Sequence, residues 1–241
     1  MSLLSLQGVN KRFGGLTAVN ELSFDLAAGE TVGLLGPNGS GKTTALNMIS
    51  GYLPVSDGGI ALAGETISTL GPERIAHRGV ARTFQLVRAL PSLRVGENVL
   101  AALAFRRDPV WGRDAEAHIE SLIAEVGLAG RAGQPADSLT YIDLKRMELA
   151  RALASDPQLL LLDEWLAGLN PTELRAGIDL ISSLRRRGIT ILLVEHVMDA
   201  VRALCSRCIV MNAGSKIADG PTGEVLADAG VIRAYLGDEH A

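Results

Sequence analysis

The chain is short of aromatic residues. Phe, Trp and Tyr together make up 4% of its 241 residues, so Ala and Leu must fill much of any core. It has only two cysteines, Cys205 and Cys208, which excludes a disulfide framework. No apolar run approaches 18 residues, so no membrane-spanning segment is expected. A basic surplus is missing as well. There are 23 Lys and Arg against 27 Asp and Glu, a net charge of −4, which argues against non-specific nucleic-acid binding. The opening residues, Met1 to Gln7, show neither the basic region nor the long apolar stretch of a secretory signal, and a reducing cytoplasmic location is the expectation. What is present is ordinary for a folded domain: 47% hydrophobic and 21% charged residues. A globule of this length hides roughly 70% of the surface its unfolded chain exposes, so the core needs no metal staple. The length fits one domain, or one domain carrying an inserted subdomain. A mean hydropathy of +0.23 hints at a face buried against a partner.

Apolar runs of strand length alternate with helical patterns, which points to an α/β fold with a parallel sheet. Strands are expected at 31–35, 80–84, 159–163, 190–194 and 208–212, with a helix at about 42–50. The runs 159–162 and 191–194 are uniformly apolar, as in strands covered on both faces. Short antiparallel strands are expected at 3–9, 24–26 and 59–62. The stretch from about 88 to 155 carries helix patterns and no convincing strand. Within it Ala115, Ile119, Leu122, Ile123 and Val126 share one helical face, and the residues from Asp108 to Gly112 break the preceding helix. The expectation is one domain over 1–241: an α/β core of 1–87 and 156–241 with a helical subdomain at 88–155 inserted in it. A helix after Asn170 is well marked. Asn170 can cap it, Pro171 suits its first turn and Glu173 can answer the cap. Leu174, Ile178, Ile181 and Leu184 form its stripe, and Arg185, Arg186 and Arg187 read as a solvated end before Gly188.

The run Gly36-Pro37-Asn38-Gly39-Ser40-Gly41-Lys42-Thr43-Thr44 contains GxxxxGK[ST]. It follows an expected strand and opens an expected helix, the context that separates a phosphate-binding loop from chance. Glycines let backbone N–H groups approach phosphate oxygens, and the helix N-terminus adds positive potential. Lys42 is suited to the β- and γ-phosphates, and the Thr43 hydroxyl to Mg²⁺. The second element is the strand 159–163, which ends in Asp163-Glu164. In open α/β sheets ligands bind where such strands end. Asp163 is suited to holding Mg²⁺ through water, and Glu164 to polarising an attacking water.

With these residues in order, the chain resembles the ATP-binding subunit of ABC transporters along nearly its whole length. The resemblance implies ATP and Mg²⁺ as ligands. It implies a P-loop ATPase core with a mostly parallel sheet, an N-terminal antiparallel β subdomain and an inserted helical subdomain. Gln85, in Arg82-Thr83-Phe84-Gln85, matches the glutamine that reaches Mg²⁺ and the water and contacts the transmembrane partner. His196 matches the switch histidine that contacts the γ-phosphate, and 167–170 the loop that crosses a dimer interface. Phe13 stands where an aromatic stacks on adenine, and Val19 closes the same nucleotide-side stretch. The stretches 13–19, 81–85, 167–173 and 231–237 look like the branched-chain amino acid importer subfamily. That implies two transmembrane permease subunits, a second ATPase subunit in a hetero- or homodimer, an indirectly coupled solute-binding protein and no nucleic acid. It places the chain peripherally on the inner face of the cell membrane.

The chain departs from the family at its signature motif, where Leu139-Thr140-Tyr141-Ile142-Asp143 replaces the usual glycine-containing sequence. Thr140 keeps a hydroxyl able to cap the next helix and bond a phosphate. Ile142 stands where backbone must approach a γ-phosphate, and Asp143 adds charge near an anion. Either these changes weaken the half-site offered to a partner, or a small backbone shift accommodates them. Trp165 stands where proline is usual. Cys205 and Cys208 read as structural. The expected function is ATP binding and hydrolysis that energises import of branched-chain amino acids or related small carboxylates or amides. A soluble ABC-type ATPase and a weakly hydrolysing regulatory half of a heterodimer are the competing expectations.

Overall fold

A computed structural model describes residues 2–236. Its elements in chain order are β1 (Ser2–Phe13), β2 (Leu16–Ala27), β3 (Thr31–Leu35), α1 (Lys42–Ile49), β4 (Asp57–Leu62), β5 (Glu65–Thr66), α2 (Pro72–Ala76) and β6 (Val80–Arg82). Then come α3 (Val95–Ala104), α4 (Gly112–Glu125), α5 (Tyr141–Ala154), β7 (Leu159–Asp163), α6 (Pro171–Arg186) and β8 (Thr190–Val194). The chain continues with α7 (Met198–Leu204), β9 (Arg207–Asn212), β10 (Ser215–Pro221), α8 (Thr222–Val225) and α9 (Ala229–Leu236). Gly237, which ends the last subfamily stretch, lies outside the described residues.

Two sheets carry the molecule. One is antiparallel, in the order β2-β1-β4-β5, and the other runs β10-β9-β3-β8-β7-β6. In the second sheet β9, β3, β8, β7 and β6 are parallel and β10 joins its edge antiparallel. The uniformly apolar strands face both ways, as their composition requires. Leu160 and Leu162 enter the core shared with α3–α7, while Leu159 and Leu161 enter the core beneath the antiparallel sheet and α1. Between β6 and β7 come α3, α4 and α5, which pack on one another, and no strand of either sheet lies in this stretch. Among the described residues no helix is long and apolar enough to cross a membrane.

Several boundaries differ from the sequence pattern, for identifiable reasons. The strand expected at 80–84 stops at Arg82. Thr83 N–H still reaches Leu161 O at 3.0 Å, but the buried carboxylate of Glu148 then takes the N–H groups of Phe84 and Arg88 at 3.3 and 3.0 Å and pulls the chain out of the sheet. β1 and β2 run well beyond the expected 3–9 and 24–26. Their register shifts repeatedly, and the irregularities scramble the alternation that marks a strand in sequence. The edge strand β10 is mostly solvated and gives no apolar signal. By contrast α6 starts with the anticipated reciprocal cap: Asn170 Oδ1 accepts from Glu173 N–H, and Glu173 returns a bond to Asn170 N–H, both at 3.0 Å. Cys205 and Cys208 are buried and free, and a Cβ at Gly33 would lie 3.1 Å from Cys208 Sγ, so the pair packs against the strand that leads to the phosphate loop.

Candidate nucleotide site

The sheet order sets β3, β8 and β7 side by side and parallel, so the loops leaving their carboxyl ends meet at one edge. Three segments separated by about 120 and 30 residues in the chain become neighbours there: 36–44, Asp163-Glu164 and Glu195-His196.

The loop 36–41 needs glycine at two positions. Gly36 has φ +144°, and a Cβ there would fall 2.1 Å from Met211 O. Gly41 has φ +104°, and a Cβ there would fall 2.6 Å from Ala18 O. Lys42 turns back over the loop and donates to Gly36 O and Pro37 O at 2.7 and 2.9 Å. Burial lowers its ammonium below the ordinary range, and Glu164 and Asp163 draw it back up. A recess of about 350 Å³ lies in front of the loop, lined by Asn38, Gly39, Gly41, Lys42, Thr43, Thr44, Ala18, Gln85 and Glu164.

Glu164 stands between two of the expected partners. Gln85 Nε2 donates to its Oε2 at 2.7 Å, and His196 Nδ1 lies 3.9 Å from its Oε1. Its backbone is left-handed (φ +51°), a conformation rare outside glycine and costly unless the surroundings impose it. Asp163 is buried, and its Oδ2 accepts from Arg82 Nη2 at 2.8 Å. Burial pushes its carboxyl up, and the Arg82 guanidinium pulls it back. The same guanidinium reaches Asn47 Oδ1 at 2.6 Å and Ser50 Oγ at 3.3 Å, which ties β6 and β7 to α1.

The oxygen donors here suit a hard cation accompanied by phosphate. Thr43 and Glu164 line the recess, Asp163 adjoins it, and Gln85 spends its amide N–H on Glu164 while its amide oxygen remains. No group of three or more His, Cys, Asp or Glu side chains among the described residues forms a metal cage. Mg²⁺ needs none when one or two protein ligands are joined by substrate phosphates.

Three expected residues lie away from the recess. Phe13 is exposed at the hairpin tip of β1, with Lys11 Nζ 5.1 Å from its ring centre. Val19 is fully buried behind the loop, where it packs against Gly41, and Ala18 lines the recess in its place. Thr140 caps α5: it accepts from Asp143 N–H at 3.4 Å, and its own hydroxyl donates to Asp143 Oδ2 at 2.7 Å. Asp143 turns inward to Arg131 at 2.8 Å and Arg146 at 3.3 Å. Burial alone would raise its carboxyl, but the bonds from Thr140 and Arg131 and the charge of Arg146 hold it below the ordinary range.

Other residues near the site carried no sequence signal of a role. Arg82 was visible only as part of a motif. Tyr235, in α9, accepts from Gly36 N–H at 2.7 Å and so joins the end of the described chain to the phosphate loop. Trp165 is buried, its Nε1–H donates to Lys145 O at 3.1 Å, and its ring and the Leu166 side chain together fill the space over Gly177.

A glycine-rich loop opening a helix, an acidic strand end beside it and a histidine just past the end of the neighbouring strand define the nucleotide site of an ATP-binding cassette. The chain belongs to the ABC transporter family, whose model matches residues 19–167, and it is an ATP-binding and ATP-hydrolysing subunit of that family. A second model, for the branched-chain amino acid ATP-binding cassette transporter, matches residues 215–241. The chain is 39% identical to the high-affinity branched-chain amino acid transport ATP-binding protein LivG of Salmonella typhimurium, over 98% of each chain. It is 37% identical to BraF of Pseudomonas aeruginosa, a protein of the same description, again over 98% of each. A solved ATP-binding cassette of an ABC transporter in its ADP conformation superposes with a TM-score of 0.89 at 28% identity, covering 99% of this chain and 100% of that one.

Proposed function

We propose that this chain binds ATP with Mg²⁺ at the recess before Lys42, hydrolyses it through Glu164, and thereby energises uptake of branched-chain amino acids or closely related small solutes. The observation that carries the chemistry is the placement of Glu164 beside the phosphate loop, with Gln85 on one oxygen and His196 near the other. Glu164 accepts a proton from the attacking water, Gln85 holds that carboxylate in place, and His196 faces the site where the γ-phosphate is cut. Lys42 exchanges its loop carbonyls for β- and γ-phosphate oxygens. Thr43, Asp163 and Gln85 would hold Mg²⁺, which would supply neutralisation of the phosphate charge. The solute class follows from the LivG and BraF relatives and from the C-terminal model match.

In the same reading 88–155 works as a helical subdomain that relays motion to two permease subunits. A cavity of about 220 Å³ between it and the core, lined by Tyr52, Phe84, Arg88, Glu148 and Arg151, is the docking groove, and Leu86, which falls between the lining residues Phe84 and Arg88 in the chain, is exposed. A second ATPase subunit completes the dimer on the inner face of the membrane. The test is Glu164→Gln in the assembled transporter. ATP binding is retained and hydrolysis is lost, and nearly unchanged turnover would refute the assignment.

A second reading, in which this chain is the weaker half of a heterodimer, is favoured by one observation. The Thr140 hydroxyl donates to Asp143, so donating to a partner's phosphate would require that bond to break.

A further inference from the structure

The turn 164–167, which begins with Glu164, is gripped by two buried charges from different elements. Lys145, on α5, is 2% exposed and uses all three ammonium hydrogens on this turn: Trp165 O at 2.9 Å, Ala167 O at 2.8 Å and Glu164 O at 3.3 Å. Glu195, directly before His196 and also 2% exposed, accepts Leu166 N–H on Oε1 at 2.6 Å. Its Oε2 is buried without a hydrogen-bond partner. Among the described residues neither group forms an ion pair, so both are committed to the backbone of one turn. The turn adds its own bonds, Glu164 N–H to Val194 O at 2.8 Å and Ala167 N–H to Glu164 O at 3.2 Å.

A buried ammonium is tolerated only when its donors are satisfied, and three carbonyls converging on one point match a compact ammonium better than a planar guanidinium. Nothing in an isolated Glu164 favours φ +51°, and a left-handed non-glycine residue persists where its surroundings over-determine it. These bonds supply that determination.

We propose that Lys145 and Glu195 are positioning residues, a two-sided clamp on the 164–167 turn that sets the Glu164 carboxylate for reaction and ties it to α5. The proposal rests on the reading of Glu164 as the group that accepts the water's proton. Neither residue lines the nucleotide recess, so the clamp acts on turnover and not on ATP affinity.

The experiment measures kcat, ATP–Mg²⁺ affinity and thermal midpoint in the full chain assembled with its partner subunits. Lys145→Met and Glu195→Leu should keep affinity and lose between about ten- and a hundredfold in kcat, the scale of a small misplacement of a reacting group. Glu195→Gln should recover most of the rate, because its amide oxygen accepts the same Leu166 N–H. Folded Lys145→Met and Glu195→Leu variants with kcat within about twofold of wild type would overturn the clamp. So would a fall in affinity, kcat and thermal midpoint together, or a Glu195→Gln variant no faster than Glu195→Leu. Should Lys145→Met fail to fold, the Glu195 pair decides. Glu164→Gln is run beside them. If it keeps turnover, the underlying reading of Glu164 fails. If it loses turnover while the clamp variants do not, only the clamp fails.

Discussion

Lys42 spends two of its hydrogens on carbonyls of its own loop, so nucleotide binding at this residue is an exchange of partners. Phosphate oxygens are better acceptors for a half-desolvated ammonium than neutral carbonyls, and the difference appears as affinity. Lys42→Ala is expected to weaken ATP–Mg²⁺ binding roughly ten- to a hundredfold, the equivalent of about 1.5–3 kcal/mol for a hydrogen bond to a charged group. A fluorescence titration showing unchanged affinity would remove Lys42 from the site. Lys42, Asp163 and Glu164 were legible in sequence because each sits in a short motif whose spacing is its own evidence. Arg82, Lys145 and Glu195 were not. A lysine within a helix such as α5 looks like a solvated charge until three carbonyls are found around it, and those carbonyls come from residues about twenty positions further on.

At the scale of elements, α5 shows how a local departure from the family is absorbed. Asp143 does not point a bare charge at the helix entrance. It is drawn down onto Arg131 and Arg146 and completes the cap with Thr140. Its carboxyl is held below the usual range, so its contribution to stability is present above the unfolded value of about 3.9 and is lost as pH falls through the lower folded value. Asp143→Asn should therefore lower the thermal midpoint at neutral pH, and the gap from wild type should narrow progressively as the pH is taken below about 3.9. A gap that stays constant over that range would show that the ion pairs contribute nothing. The composition of α6 announced its start, because Asn170, Pro171 and Glu173 form a cap among themselves. The end of β6 was not announced, because Glu148 lies more than sixty residues away from the backbone it captures.

For the whole molecule, the proposed dimer would place each ATP on one chain's phosphate loop and beneath the other chain's signature helix. A dimer of this chain alone would have both sites covered by Thr140, Ile142 and Asp143. A heterodimer would have one site covered by a partner's motif. The isolated chain should then hydrolyse ATP weakly and turn over faster with its partner subunit. Ile142→Gly combined with Asp143→Gln should raise the activity of the isolated chain, each tenfold gain being worth about 1.4 kcal/mol of transition-state stabilisation. Steady-state hydrolysis by the isolated wild-type chain as fast as that of the double variant would end the asymmetric reading. The linear pattern of residues was enough for the parallel sheet, since strands buried on both faces must be apolar throughout, and for the phosphate loop and the acidic strand end, whose chemistry is carried by adjacent residues. Which charges are buried emerged with the folded chain. The fold neutralised Asp143 against Arg131 and Arg146, set Val19 behind the loop, paired Arg82 with Asp163, and closed Lys145 and Glu195 on the turn that holds Glu164. The reason is that desolvation and partner choice for a charged group depend on strands and helices brought together from distant parts of the chain, and a linear pattern carries no record of that.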